Sequence, residues 1–483
     1  MNSHLALLTD FYQLTMMQGY YLKGFANKEV VFDLFYRQNP FGNGYAVAAG
    51  LQQIIEYIDG LQFSEEDISY LRGQGTFCDE FLNYLRDFRF TGHIAAVPEG
   101  TVIFPHEPLV RVRAPIIQAQ CIETALLNIF NHQSLIATKA ARIVYAAKGD
   151  RILEFGLRRA QGPDAGIYGS RAAIIGGCVA TSNVLAGKKF DIPIRGTHAH
   201  SWVMSFPTEL EAFRAYAQIA PTACVLLVDT YDTIKSGIPN AIKVFKEMRQ
   251  QGLTLSNYGI RLDSGDLAYL TKQAREMLNN AGFSDAIISA SGDIDEYILS
   301  DLKLQGAQIE AWGVGTKLIT AEGSPSFGGV YKLAAEVSHD GRVVPKIKLS
   351  ENIEKLTNPG VKKVCRIYDN KSGKIKADLI ALEEESFDTT EDLTLFHPLA
   401  TWKKMKLSAN TYSIKELLIP VFVGGECVYN SPSVMQIQKY CAQELNTLWD
   451  EHKRLRKPQL FPVDLSLALW TLKSNMIQEI RGE

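Results

Sequence analysis

The chain has 483 residues, enough for two or three domains with a large core. Apolar residues make up 46% and charged residues 21%, and the net charge of -3 argues against a nucleic-acid partner and leaves any anionic ligand to local positive groups. Seven widely spaced cysteines, with no C-x-x-C pair, argue against a disulfide framework or a zinc knuckle and suit a reducing cytosol.

The start, "MNSHLALLTDFYQ", has no basic segment followed by a long apolar run, so no secretory signal is expected. "EVVFDLFYRQNP" reads as a strand, with turn signals in "NPFGNG". "HIAAVPEGTVIFPHEPLVRVRAP" reads as short strands broken by turns, which suggests a separate β-rich lobe to about residue 140.

From about residue 150 the rhythm changes. The apolar runs "RILEFG", "IPIRGTH", "CVLLVDT", "YGIRLDSGD", "AIISASGD" and "IEAWGVGT" alternate with helical patterns such as "ELEAFRAYAQIA", "NAIKVFKEMRQQG" and "LAYLTKQAREMLNNAG". Such alternation predicts parallel strands, in a barrel or an open sheet. Each run ends in Gly, Asp, Thr, Ser, Arg or His, and the carboxyl ends of parallel strands are where α/β folds place their chemistry. The most lipid-like run, Ala172 to Gly187, is short and broken by glycines, Thr181, Ser182 and Asn183, so no membrane span is expected. Further on, "KKVCRIYDNKSGKIK" predicts a hairpin turning at "NKSG", and "EEESFDTTED" an acidic loop. "SVMQIQKYCAQELNTLWDEHKRLRK" and "SLALWTLKSNMIQEI" predict helices, with "HKRLRK" a solvated face.

There is no Walker A loop, and no G-x-G-x-x-G opens a helix after a strand. Two glycine-bearing loops remain at strand ends: Ser291, Gly292 and Asp293, then Gly313 to Thr316 with Gly315 between. Glycine lets successive N–H groups converge on an anion, so the two loops together would suit a terminal phosphate; either alone reads as a tight turn. Asp229, Arg261, Asp263 and Asp266 form a second group. They suit sugar hydroxyls, a hydrated Mg²⁺ ion and an anion clamp, or equally an ion pair closing the strand ends. Phe155, Arg158 and Arg159 suit a flat anionic ring, or a stacked surface arginine.

"GTHAHSWVMSF" carries His198 and His200. On a strand both would face one way, as two metal ligands do. An H-x-H pair at a barrel strand end needs further histidines on later strands. The nine histidines are at 4, 93, 106, 132, 198, 200, 339, 397 and 452, and none falls between 200 and 339. A single nucleophilic or acid–base histidine is therefore expected ahead of a metal grip.

Taken in order from near residue 7 to near 475, "LLTDFYQLTM", "LFYRQNPFGNGYAVAAGL", "EFGLRRAQGPDAG", "GTHAHSWVMSF", "LLVDTYDT", "GIRLDSGDL", "SASGDIDEY", "WGVGTKL", "GGVYKLA" and "PVFVGGECVY" resemble the nicotinate phosphoribosyltransferase family. The resemblance implies a type II phosphoribosyltransferase fold: an irregular α/β barrel with an N-terminal α+β lobe completed by C-terminal segments. The implied division is an N-terminal lobe over 1–140, the barrel with the active site over 141–345, and C-terminal segments over 346–483, a hairpin then helices, packing on both. It implies that nicotinate and 5-phosphoribosyl-1-pyrophosphate give nicotinate mononucleotide and pyrophosphate, coupled to ATP hydrolysis with Mg²⁺, in NAD salvage. It also implies a cytoplasmic homodimer with its active site at the subunit interface.

Residue by residue, Tyr12 and Phe155 resemble the pair that sandwiches the pyridine ring, Tyr12 coming from the partner subunit. Arg37 and Arg158 resemble contacts to substrate anions, Arg261 and Asp263 the pair at base and ribose, and Asp229 a sugar or Mg²⁺ contact. Thr197 and Ser201 join the substrate-binding set, and the loops at Ser291–Asp293 and Gly313–Thr316 resemble the 5′-phosphate cradle. His200 matches a histidine that takes a phosphoryl group from ATP, so His200, Asp229 and Asp263 are the expected catalytic residues; His198 receives no role. No protein cage for a metal is expected, Mg²⁺ arriving with pyrophosphate near Asp229 and Asp263. Three other readings stay open: the same fold acting on nicotinamide or quinolinate, a metal-dependent barrel hydrolase, and a non-catalytic phosphosugar-binding regulator.

Overall fold

The computed structural model describes residues 5–338, 340–350, 352, 355–400 and 402–482; His4 and His339 fall outside them. The chain divides into two compact units. One is built from Met1–Leu135, Ser326–Pro432 and Lys439–Glu483, the other from Ile136–Pro325 with Ser433–Gln438. No helix among the described residues is long and apolar enough to cross a membrane.

The first unit holds two large sheets. The seven-stranded one runs Val343–Pro345, Gly329–Val337, Glu29–Tyr36, Val110–Pro115, His93–Ala96, Ile419–Val423, Glu426–Cys427. Its third strand is the expected "EVVFDLFY", buried from Val30 to Tyr36 and paired antiparallel on both sides. The other sheet contains the hairpin Lys362–Asp369 with Ile375–Leu382, turning at the "NKSG" segment. Helices Val434–Thr447 and Leu467–Arg481 match the two C-terminal helical patterns. The helix expected to run on through "HKRLRK" instead stops at Thr447; a separate helical turn, Asp450–Lys453, follows, and Pro458 disfavours helical backbone at Lys457 before it.

One buried cluster dominates the polar interior of this unit. Arg366 is fully buried and donates to both oxygens of Asp378 (3.0 and 2.6 Å), to Glu444 at 2.8 Å and to the Val102 carbonyl at 2.7 Å. Glu107 lies beside Asp378, and burial, reinforced by that neighbouring charge, pushes its carboxyl well above the usual range. One guanidinium thus satisfies two carboxylates, while burial favours the neutral form of the third.

The second unit is the α/β part. Its six strands are all parallel and run in the order Ala180–Thr181, Arg151–Glu154, Ala311–Val314, Ile287–Gly292, Gly259–Leu262, Val225–Leu227. The last strand in sequence pairs with the first, which is the wrap of a barrel, while Ala180–Thr181 and Val225–Leu227 remain edges. Ala311–Val314 is buried at all four positions, as strands covered on both faces require. The helices begin on side-chain caps placed just after strands: Asp266 accepts from Tyr269 N–H, and Asp295 from Tyr297 and Ile298 N–H.

The run "IPIRGTH" does not form the expected strand. Only a single bridge, Thr181 with Ile194, survives. Pro193 has no N–H for a ladder, so pairing is limited to its carbonyl, which accepts from Thr181, and to Arg195, which donates back. His198 therefore lies in a loop, and His200 opens the short helix His200–Met204. The two histidines are not presented as neighbours on one strand face.

The Arg366 cluster gives the first prediction. Arg366→Ala leaves Asp378 and Glu444 buried without their cation, and should cost about 3–5 kcal/mol of stability. Urea denaturation followed by tryptophan fluorescence checks it; a midpoint unchanged from wild type would refute the energetic weight given to this cluster.

Candidate active site

The polar residues at the strand ends of the second unit are linked by hydrogen bonds. Asp229 follows the edge strand Val225–Leu227, and its side chain is only 3% exposed. Its Oδ2 accepts from the Asp263 N–H and the Ser264 hydroxyl, both at 2.8 Å. Its Oδ1 lies 3.3 Å from Nε2 of His200, whose ring is 40% exposed. Asp229 thus ties the loop after its own strand to the loop after Gly259–Leu262 and orients a solvent-reachable imidazole. Ser201, next along the short helix, is exposed beside it. Asp266 serves as a helix cap and takes no part in this group.

Asp263 continues the chain by accepting a hydrogen bond from Ser291. Ser291 and Gly292 pair in register with Gly313 and Val314 of the neighbouring strand, so the two glycine loops lie side by side. Gly292 has φ 127°, a backbone state that side chains resist. A Cβ on Gly313 would stand 2.5 Å from the Phe155 ring and 3.2 Å from Ser291. Only glycine admits the aromatic face at this point, which sets a half-buried ring directly beside the paired loops. Asp293 is exposed next to Gly292, and Thr316 opens the short helix Thr316–Ile319 after Gly315.

Two guanidiniums face this region. Arg261 donates to the Thr197 hydroxyl, and its buried Nε has no partner. Burial is the main influence lowering the Arg261 pKa, and the charge of Arg158 adds to it, while Asp263, Asp229 and Tyr216 oppose. Arg158 itself is exposed in the turn Leu157–Arg159. A buried donor without a protein acceptor, beside a second cation, suits the binding of an anion.

His198 takes the opposite part from His200. It is 7% exposed, and its Nε2 accepts the Leu227 N–H at 3.2 Å. Its Nδ1 lies 3.4 Å from the Ala199 carbonyl, and its ring stands edge-on to Tyr216 at 4.6 Å between centroids. Both nitrogens are used by the backbone, so it offers no lone pair to a metal. Burial pushes its pKa down to about 4; Arg261 and His200 add to the fall, and the Ala199 carbonyl opposes it.

The first unit holds Tyr12 and Arg37. Tyr12 sits at the start of the helix Phe11–Leu22 with half its surface exposed, its hydroxyl accepting from Gln13 at 2.9 Å. Gln13 in turn donates to Glu123 at 3.1 Å. Arg37 has a buried Nε without a partner. Its charge reaches Lys332, whose pKa is lowered first by burial and then by Arg37 and Lys348, against Glu123. Lys332 and Lys348 were not singled out from the sequence, and nothing in their spacing marks them.

Two residues of the second unit were also missed. Glu154, fully buried, accepts from Ser170 at 2.9 Å, Thr181 at 2.6 Å and the Gly156 N–H, fixing the turn that carries Phe155. A carboxylate ending the buried run "RILE" was the available signal. Lys317 bonds Asp295 at 3.1 Å and so ties the loop after Ile287–Gly292 to the one after Ala311–Val314. Desolvation lowers the Lys317 pKa, but its bond to Asp295 and the charges of Asp295, Glu322 and Asp293 outweigh it, and the net direction is upward.

Comparison with known proteins agrees across the chain. Residues 7–131 match the model described as the nicotinate phosphoribosyltransferase N-terminal domain, 151–343 that of the nicotinate phosphoribosyltransferase family, and 361–473 that of its C-terminal domain. Nicotinate phosphoribosyltransferase of Bacillus subtilis is 49% identical over 478 residues, covering 99% of this chain and 96% of the relative. That of Caenorhabditis elegans is 36% identical, covering 96% and 92%. A crystal structure of human nicotinic acid phosphoribosyltransferase superposes with a TM-score of 0.84 at 30% identity, covering 97% of this chain and 99% of that one. A nicotinate-nucleotide pyrophosphorylase from Pyrococcus furiosus shares the fold, with a TM-score of 0.68 at 21% identity.

His198 carries a pH prediction. Its folded pKa lies below the unfolded value of about 6.5, so its contribution is fully present above that value and is lost as pH falls toward 4. His198→Phe keeps a ring against Tyr216 and removes the titration. Between about pH 7.5 and about pH 5, wild type should lose about 2 kcal/mol more stability than this variant. Denaturation midpoints at the two pH values test it, and equal losses would refute the assignment.

Proposed function

The chain belongs to the nicotinate phosphoribosyltransferase family, and on that premise we propose that its reaction takes place at the strand ends of the second unit. The reaction joins nicotinate to 5-phosphoribosyl-1-pyrophosphate, giving nicotinate mononucleotide and pyrophosphate in NAD salvage. One observation carries the location: two glycine loops in parallel register, an aromatic face seated on Gly313, and Arg261 with a buried unsatisfied donor meet on adjacent strands.

The residue types suit the chemistry. The pyridine nitrogen has a free lone pair, so its attack on the sugar carbon needs no general base. The transition state is cation-like at that carbon, and pyrophosphate leaves as an anion. The protein's work is to hold the ring in line and to stabilise negative charge. Phe155 supplies the stacking face, Arg158 and Arg261 the guanidiniums, and the loops at Ser291–Asp293 and Gly313–Thr316 the N–H groups for the 5′-phosphate. Thr197 holds Arg261, Asp263 suits the ribose, and Ser201 offers an exposed hydroxyl next to His200 in the chain.

Mg²⁺ fits this setting as a pyrophosphate-bound ion. Asp229 has one oxygen taken by Asp263 and Ser264 and the other turned to His200, which leaves the exposed Asp263 carboxylate as the better contact, through water. When bound, the ion would neutralise charge on the leaving group.

His200 is the residue to accept a phosphoryl group from ATP: it is solvent-reachable, and a buried carboxylate orients its Nε2. A phosphorylated His200 would place new negative charge against Asp229 and couple ATP hydrolysis to the loop. The working enzyme is a homodimer with Tyr12 supplied across the subunit interface. Support comes from the first helix, which leaves Phe11, Tyr12, Met16 and Leu22 exposed. The cationic group of Arg37, Lys332 and Lys348, within the first unit, suits a polyanion. A reducing cytosol fits seven cysteines that are all free.

The test is product formation with and without ATP. Wild type should form nicotinate mononucleotide and be stimulated by ATP; nicotinamide and quinolinate, assayed beside nicotinate, should be poor acceptors. His200→Ala should abolish the stimulation and leave slow, ATP-independent turnover. Stimulation that survives in that variant would sink the phosphohistidine assignment, and preference for another ring would sink the choice of acceptor.

A further inference from the structure

We propose that the H-x-H pair is a register device, in which His198 is a positioning residue that locks the His200 loop onto the edge of the parallel sheet so that His200 meets Asp229. Val225–Leu227 is paired on one side only, by Gly259–Leu262. On that side Gly259 N–H donates to the Cys224 carbonyl, and Val228 N–H donates to the Arg261 carbonyl. Backbone groups alternate along a strand, so the Leu227 N–H points the other way, off the edge. Leu227 is fully buried, and a buried N–H must find an acceptor. A neighbouring strand would supply one. Here the acceptor is the His198 ring, at 3.2 Å.

The same spacing then repeats. His198 meets Leu227 and His200 meets Asp229, and both pairs are 29 positions apart. Constant separation is how two parallel strands keep register, and here side chains maintain it where the backbone does not pair. Arg261 adds a third fastening through Thr197. The ring is clamped edge-on by Tyr216 at 4.6 Å and faces Phe213 at 6.1 Å, so it cannot swing away without leaving its packing. A slip of one residue would aim His200 away from the Asp229 carboxylate. For His198 to work this way its Nε2 must be the acceptor, which places its proton on Nδ1, toward the Ala199 carbonyl.

The contact stands on geometry alone; its effect on turnover rests on the phosphohistidine reading of His200. The experiment therefore has two readouts on the full-length protein. His198→Phe keeps a ring and removes the acceptor, and His198→Gln keeps an acceptor. Hydrogen exchange at the Leu227 amide should quicken about tenfold or more in His198→Phe and recover at least partly in His198→Gln. In the same variants, ATP-stimulated turnover should fall about tenfold while ATP-independent turnover stays within about twofold, with His198→Gln restoring part of the loss. If His198→Phe is not recovered folded, His198→Ala carries the same measurements. Leu227 exchange as slow as wild type overturns the proposal, as does a parallel fall of both rates. A His200→Ala variant that keeps ATP stimulation overturns the phosphohistidine reading alone, and Leu227 exchange then decides the register on its own.

Discussion

The Asp229 carboxylate has both oxygens committed. One holds the Asp263 N–H and the Ser264 hydroxyl, and the other faces His200. At 3% exposure it cannot trade these partners for water, so the loops it joins are fixed to one another. From there the chain of contacts continues strand by strand. Asp263 takes the Ser291 hydroxyl, Ser291 sits opposite Gly313, and Gly313 lies under Phe155. Each step depends on parallel register. A one-residue shift of any strand would turn its polar end group to the other face.

The charges of the second unit follow the same economy. Arg261 is mostly out of water and near Arg158, yet it stays in place because Thr197 holds it and Asp229 and Asp263 offset its charge. Its buried Nε has no protein acceptor, which leaves that N–H for a bound group. A cation held ready in this way reorganises little when negative charge develops nearby, which is the condition for electrostatic catalysis. Lys317 plays a narrower part. Paired with Asp295, it spans the two glycine loops and sets their spacing without adding an unpaired charge.

Much of this was legible in the sequence. The alternation of apolar runs and helical patterns gave the parallel sheet because strands buried on both faces leave little else for their sequence to do. The strand-end clusters grouped Asp229, Arg261, Asp263 and both glycine loops because parallel strands bring their carboxyl ends together, whereas His200 was singled out by the family resemblance and opens a helix. What stayed hidden depends on long-range partners. "IPIRGTH" reads as a strand by composition, yet Pro193 leaves it one bridge. Asp266 reads as a site residue, yet it caps a helix. Glu154 is silent until Ser170 and Thr181 arrive from elsewhere in the chain. Lys332 meets Arg37 only after nearly 300 residues have folded between them, and no local pattern carries that.

The edge of the sheet explains why an imidazole is useful where a strand would be stronger. A full ladder beside Val225–Leu227 would hold the Gly196–Ala199 loop by several backbone bonds. Here the loop hangs on His198 and on Thr197, and its next residue faces Asp229. A phosphoryl group on His200 would bring about -1.5 to -2 charges against a carboxylate that cannot move. The repulsion must be relieved by the lighter partner, which is the loop. Because Thr197 is bonded to Arg261, movement of the loop also acts on that guanidinium. A loop held by two side chains can therefore pass a change in charge at His200 to Arg261, whereas one woven into the sheet would absorb it.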